Sequence, residues 1–230
     1  MAGNSSGSGA GLPRPRAVVF DMDGLLLDSE RLALEAFEAA SASLGWEPDL
    51  AVYRRCIGST YAATQAVLEA VLPLGLSYPV FDARWSQCYA ERLDAGALEI
   101  KPGAEELLRA LVDLGIPRAL ATSTRRPVAE HKLALTGLAE FLPVRICGGE
   151  TSRGKPHPDP YLAAIAALGV WAPEAWACED SDPGVRAAVA AGLAVFQVPD
   201  LLEPEPAVRA LGHRIVTDLH VVLAELRRIC

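Results

Sequence analysis

Along the chain, short apolar runs alternate with stretches whose apolar positions recur every three or four residues. The runs fall at 17–20, 117–121, 144–147, 175–178, 194–198 and 214–216. Each is followed by turn residues, and each predicts a strand. Helical spacing fills the gaps between the later runs, at 103–114, 126–135, 160–168, 183–191 and 219–228. Strands alternating with helices through short turns predict a parallel sheet with helices on both faces, an α/β Rossmann-like fold.

Residues 29–99 break the alternation. Their pattern is helical throughout, over 31–44, 61–72 and 80–95, with no clear strand. This predicts a small helical cap domain inserted after the first strand and lying over the sheet's carboxyl edge. Lys101-Pro102-Gly103 marks the return to the sheet. The expected division is a flexible Gly/Ser-rich tail over 1–15, a catalytic core over 16–28 and 100–230, and a cap over 29–99.

Composition narrows the class. The chain has 230 residues, 51% of them hydrophobic, which excludes a disordered protein. Lys and Arg number 21 against 29 Asp and Glu, a net charge of -8. That argues against nucleic acid as a partner, which needs a basic face. A small anionic substrate remains compatible, because a local cation can draw phosphate into an acidic protein. The five cysteines, Cys56, Cys88, Cys147, Cys178 and Cys230, are scattered and form no C-x-x-C pair. They read as reduced thiols in a cytoplasmic protein. The start lacks the apolar run of a signal peptide, and no segment reads as a membrane span. A monomer is expected.

Ligands of open parallel sheets bind beyond the carboxyl ends of the strands, so the residues there carry the chemistry. The first run, AVVF, ends in Asp21-Met22-Asp23-Gly24. In extended chain, residues two apart point the same way. Asp21 and Asp23 can then face one spot with Met22 turned into the packing, and a cation would relieve their repulsion. The second run ends in Thr122-Ser123-Thr124. After the third comes GGETSRGKPHPDP, carrying Lys155, one of only three lysines with Lys101 and Lys132. The fourth ends in Glu179-Asp180-Ser181-Asp182. Hard oxygen donors suit Mg²⁺, and a lysine balances an anion. This inventory matches a metal site handling a phosphoryl group.

Each residue also has a plainer reading. Asp-Gly is a common turn pair. The three hydroxyls can cap a helix opened at Arg126, and Asp182, just before Pro183, is the expected cap of the next helix, leaving Asp180 for metal. His157 reads as a loop residue. Arg125 reads as solvated, although it can reach a second anionic group on a substrate.

DMDG, the strand-end ATST, GKPHPDPY and CEDSDPGV, in this order, resemble the four motifs of the haloacid dehalogenase-like (HAD) hydrolase superfamily. The helical insert resembles the subgroup with a small cap, which includes phosphoglycolate phosphatase-like enzymes and beta-phosphoglucomutase. The likeness spans nearly the whole chain after the tail. It implies a phosphatase acting on a small phosphorylated metabolite, with Mg²⁺ as cofactor. Asp21 would be the nucleophile that forms an aspartyl-phosphate, and Asp23 the general acid/base, its main-chain carbonyl on the metal. Thr122 would bind the phosphoryl group, helped by Ser123. Lys155 would pair the phosphate and steady Asp21, Asp180 would ligate the metal, and Glu179 would help directly or from behind.

Three rivals are weighed. A dehalogenase of this superfamily would lack the second aspartate. A phosphonatase needs a cap lysine, and residues 29–99 contain none. A mutase-like enzyme carries a cap histidine and basic groups for a second phosphate. In DSERLALEAF, Ala33 stands near the expected histidine, while Arg31, Arg54, Arg55, Arg84 and Arg92 cannot be placed from sequence. A phospho-accepting receiver module would also use Asp, Thr, Lys and Mg²⁺, but in another order and without a helical insert.

Overall fold

The computed structural model describes residues 12–57 and 61–230. Residues 1–11, most of the expected tail, lie outside them. Six strands form one parallel sheet: β1 (Ala17–Phe20), β2 (Arg118–Ala121), β3 (Val144–Ile146), β4 (Ala175–Glu179), β5 (Ala194–Gln197) and β6 (Arg214–Ile215). Their spatial order is β3-β2-β1-β4-β5-β6. The chain winds one way from β1 to β3, then crosses back to continue from β4 to β6. The reversal places the switch point at β1, where a ligand crevice is expected.

Parity along β1 explains why both faces need covering. Val18 and Phe20 join one apolar cluster with Leu107, Leu108, Leu133 and Leu223. Ala17 and Val19 join another with Tyr161, Ala164 and Val185. The first face is closed by α5 (Ala104–Asp113), α6 (Arg126–Thr136) and α10 (Leu219–Ile229). The second is closed by α7 (Asp159–Leu168) and α8 (Asp182–Ala190). All four residues of β1 are buried, as a doubly covered strand requires. By the same alternation Asp21 follows Val19 onto the α7 face, and Met22 turns into the other core, fully buried.

The insert between β1 and β2 is helical, as expected: α1 (Ser29–Ser43), α2 (Leu50–Arg54), α3 (Tyr61–Glu69) and α4 (Tyr78–Asp94). It has an aromatic core of its own, in which Phe37 lies 5.3–5.8 Å from the rings of Trp46, Tyr53, Phe81 and Trp85. The two chain crossings into and out of it run side by side, with Leu27 bridged antiparallel to Ile100. Two short helices, α2 and α9 (Pro206–Arg209), are additions to the sequence-based expectation. Four or five residues are too few to display a helical period.

Candidate active site

Parallel pairing sets the depth of each strand end. Phe20 is aligned with both Leu120 and Cys178, so Asp21 lies level with Ala121 and Glu179. The next residue on the β2 side is Thr122, whose amide bonds the Ile146 carbonyl of β3. Four loops therefore deliver Asp21, Thr122, Lys155 and Glu179-Asp180 to one edge.

Lys155 is the hub. Its side chain is 5% exposed and donates to Asp21 Oδ1 and to Glu179 Oε1, the latter at 2.5 Å. It also lies 5.3 Å from the Tyr161 ring centroid. The Lys155–Pro156 peptide is cis. Burial alone would lower the lysine pKa, but Asp21 and Glu179 outweigh it and hold the ammonium above its usual value. Burial pushes Asp21 up to about 7; Lys155 opposes the rise, and Glu179 and Asp23 add to it. Asp180 is raised well above the usual carboxylate value by burial, then by Glu179 and Asp21.

This crowding bears on a metal. Oxygens of Asp21, Glu179 and Asp180 lie within 4.8 Å of one another. The donors are all hard carboxylates, as Mg²⁺ prefers. Gly24, at φ +79°, leaves open the space beside Asp180 that a side-chain carbon would fill. The set fits a divalent cation, with one distinction. Glu179 Oε1 already accepts from Lys155 and the Tyr161 hydroxyl, and Oε2 from the amides of Asp180 and Ser181 and the Ser181 hydroxyl. A carboxylate offers about four lone-pair directions. Glu179 is therefore saturated and suits a positioning role, leaving Asp21 and Asp180 to face the cation. Gly184 permits this, since a Cβ there would collide with Glu179.

Asp23 faces elsewhere. Its Oδ1 accepts from Lys132 Nζ and its Oδ2 from Thr124 Oγ1, both at 2.6 Å. Burial would raise its pKa, but Lys132 and the hydrogen bonds bring it below the ordinary value. Thr122 is buried, and its hydroxyl accepts from the Thr124 amide at 3.1 Å. That bond shapes the loop rather than capping a helix: the α6 cap position is Arg125, with no side-chain cap bond. Ser123 is exposed on the same loop. Arg125 is exposed too and forms no ion pair among the described residues, so it is not drawn into the cluster. His157 takes no part in it either. Asp182 is not the cap of α8. The helix begins one residue earlier than its proline suggests, so Ser181 is the cap, accepting from Gly184 N, and Asp182 accepts from Gln197 and the Glu205 amide.

Between this edge and the insert lies a cavity of about 400 Å³. Asp23 and Lys132 line its core side; Glu30, Tyr53, Trp85 and Tyr89 line the other. Burial, then Asp23 and Asp200, push Glu30 up to about 7. Tyr53 donates to the Glu30 carbonyl at 3.0 Å and to its carboxylate at 3.4 Å. Sequence reasoning assigned no role to Lys132, Glu30 or Tyr161. Lys132 left one trace: it lies three residues after Ala129 on the inward stripe of α6, an unusual place for a lysine.

A family model described as a hydrolase, haloacid dehalogenase-like hydrolase, matches residues 15–192. A phosphorylated carbohydrates phosphatase of Thermotoga maritima is 33% identical over 77% of this chain and 82% of its own. A validoxylamine A 7'-phosphate phosphatase of Streptomyces hygroscopicus subsp. limoneus is 34% identical over 77% and 83%. Among solved structures, a HAD family hydrolase of Deinococcus radiodurans R1 with bound phosphate and sodium superposes with a TM-score of 0.79. It is 28% identical and covers 94% of this chain and 96% of its own.

Proposed function

The chain belongs to the haloacid dehalogenase-like hydrolase family, and from that premise we propose an Mg²⁺-dependent phosphatase that cleaves a small phosphomonoester through an aspartyl-phosphate on Asp21. One observation carries the reading. Asp21, at the carboxyl end of the central strand, is clamped by Lys155 beside Asp180, while a second carboxylate, Asp23, stands separately paired to Lys132 and Thr124.

Asp21 attacks phosphorus, the bond to the leaving oxygen breaks, and Asp23 in its acid form supplies that oxygen's proton. Water then attacks the acyl phosphate and gives its proton back to Asp23. Lys132 holds Asp23 in the base form that this second step needs. The first step requires the entering substrate to loosen that pair. Thr122, Ser123 and Lys155 bind the phosphoryl oxygens; Glu179 holds Lys155 and the Asp180 loop in place. When bound, Mg²⁺ supplies positive charge that keeps Asp21 ionised and offsets the transferring phosphoryl group. Asp21, Asp180 and the Asp23 carbonyl would hold it. Activity should vanish in chelator and return with Mg²⁺, while Ca²⁺, with its looser shell, should inhibit. Full turnover in chelator removes the metal from this reading.

Residues 29–99 act as the cap, and the cavity beneath them takes the leaving group. The name of the Thermotoga maritima relative, a phosphorylated carbohydrates phosphatase, supports a phosphorylated sugar. None of Arg31, Arg54, Arg55, Arg84 and Arg92 lines that cavity, and Ala33, which does line it, offers no imidazole. Both observations favour hydrolysis over a mutase, which must grip a second phosphate. With a hexose monophosphate and catalytic hexose bisphosphate, inorganic phosphate should appear and no isomerised sugar phosphate. Residues 61–230 contain no helix long and apolar enough to cross a membrane, nor do 12–57. Cys88, Cys147 and Cys178 are buried free thiols, which supports a reducing, cytoplasmic setting. A monomer completes the proposal.

A further inference from the structure

Asp200, in the loop after β5, has no place in the scheme above, yet it reaches the same edge. Its side chain is 10% exposed. Oδ1 accepts from Lys101 Nζ at 2.5 Å. Oδ2 is buried and has no hydrogen-bond partner among the described residues. That oxygen lies 3.3 Å from the point a Gly24 side-chain carbon would occupy, and Asp180 Oδ2 borders the same point. Two carboxylate oxygens thus face one small space kept open by a glycine.

A buried acceptor without a donor is costly, and here a second carboxylate adds repulsion. Lys101 neutralises only one side of Asp200. Both problems are solved by a strong donor between the oxygens, and water polarised by a divalent cation is such a donor. We propose that Asp200 is a positioning residue for the metal: its Oδ2 accepts a hydrogen bond from a water of the cation that Asp21 and Asp180 hold. This rests on the Mg²⁺ reading. Lys101 keeps the carboxylate oriented from the return segment of the insert, where its amide bonds the Leu26 carbonyl. The pair therefore couples the chain crossing to the metal site, a role distinct from merely fastening one loop to another.

The test is Mg²⁺ binding by the full chain, followed by calorimetry and by the Mg²⁺-induced rise in melting temperature. Asp200→Asn should weaken Mg²⁺ about tenfold or more, the range found for residues that orient metal ligands from behind. Asp180→Asn, the control, should abolish the response. If Asp200→Asn fails to fold, Asp200→Glu keeps the charge while displacing the oxygen, and the same weakening is expected. A variant whose melting temperature drops but whose Mg²⁺ midpoint matches the parent would show a purely structural ion pair and overturn the proposal. A parent protein that ignores Mg²⁺ altogether overturns the metal reading itself, an outcome distinct from a responsive parent with an unaffected Asp200 variant.

Discussion

The carboxyl edge of the sheet and the cavity beneath the insert meet at Asp23, but they are built in opposite ways. At the edge the carboxylates of Asp21, Glu179 and Asp23 are each fixed by a lysine. Lys155 is shared between Asp21 and Glu179, and Lys132 is committed to Asp23. Across the cavity the wall is aromatic, and one carboxylate, Glu30, accepts among the described residues only from a tyrosine hydroxyl. Burial and like charges nearby leave it poised around neutrality. The contrast separates tasks: paired ions set up bond breaking, and an apolar wall with few polar groups suits recognition. Substitutions at the edge should therefore fall on turnover of every substrate, and those in the cavity on the choice among substrates.

The largest expected effect is at Asp21. Asp21→Asn removes the proposed nucleophile and should cost on the order of 10⁶ in kcat, as loss of a nucleophile does in a concerted catalytic unit. No phosphoenzyme should be trapped, and the circular dichroism spectrum should match the parent. A variant within tenfold of the parent would dissolve the distinction between edge and cavity, because the edge would not be where bonds break.

Asp23→Asn should cost about 10² to 10⁴, the usual range for one acid/base group. The loss should be smallest with a good leaving group, such as an aryl phosphate, because the first step then needs no proton. Dephosphorylation still needs a base, so phosphoenzyme should accumulate with that substrate in rapid-quench experiments. Equal losses for good and poor leaving groups would argue against Asp23 as the acid.

These two residues were legible in the sequence because their signal is local. An apolar run breaking into Asp-x-Asp-Gly announces a strand end, and Thr122, Lys155 and Glu179-Asp180 recur at other strand ends. The parallel register then brings them level. The partner of Asp23 was not legible: Lys132 lies 109 positions away, and only its place on a buried helix stripe marks it. Asp200 left no trace, since its meaning comes from a neighbouring glycine and from a lysine 99 residues away. The cap of α8 was misassigned by one residue, because proline tolerates the first helical turn and so does not fix which residue precedes it. In the insert, helical spacing revealed α1, α3 and α4, but nothing in it revealed which side chains would point at the edge.

The insert's own core gives the next effect. Phe37 is fully buried amid Trp46, Tyr53, Phe81 and Trp85. Phe37→Ala should destabilise by about 3 to 5 kcal/mol, the cost of truncating a buried aromatic side chain. Denaturant unfolding measures it. A loss below about 1 kcal/mol would mean that this cluster is not a packed core.

Glu30 sharpens the comparison with the smallest change. Its carboxyl, raised to about 7, is a donor below that pH and an acceptor above it. Facing the leaving group, it suits a polyhydroxylated substrate and offers little to an aryl phosphate. Glu30→Gln keeps the shape and fixes the group neutral. The variant should resemble the parent near pH 6, where Glu30 is protonated. Near pH 8 its KM for a sugar phosphate should rise about tenfold, equivalent to roughly 1.4 kcal/mol, the worth of one hydrogen bond to a charged group. Its kcat for an aryl phosphate should be unchanged. Stability should shift the opposite way. Because Glu30 binds its proton more tightly folded than unfolded, the parent loses stability as pH rises from about 4.5 through 7. The glutamine variant escapes that loss and should melt higher relative to the parent at pH 8 than at pH 5. If both substrates slow equally in the variant, Glu30 belongs to the chemistry of the edge, and the division between fixed charges and a recognising wall fails where the two regions meet.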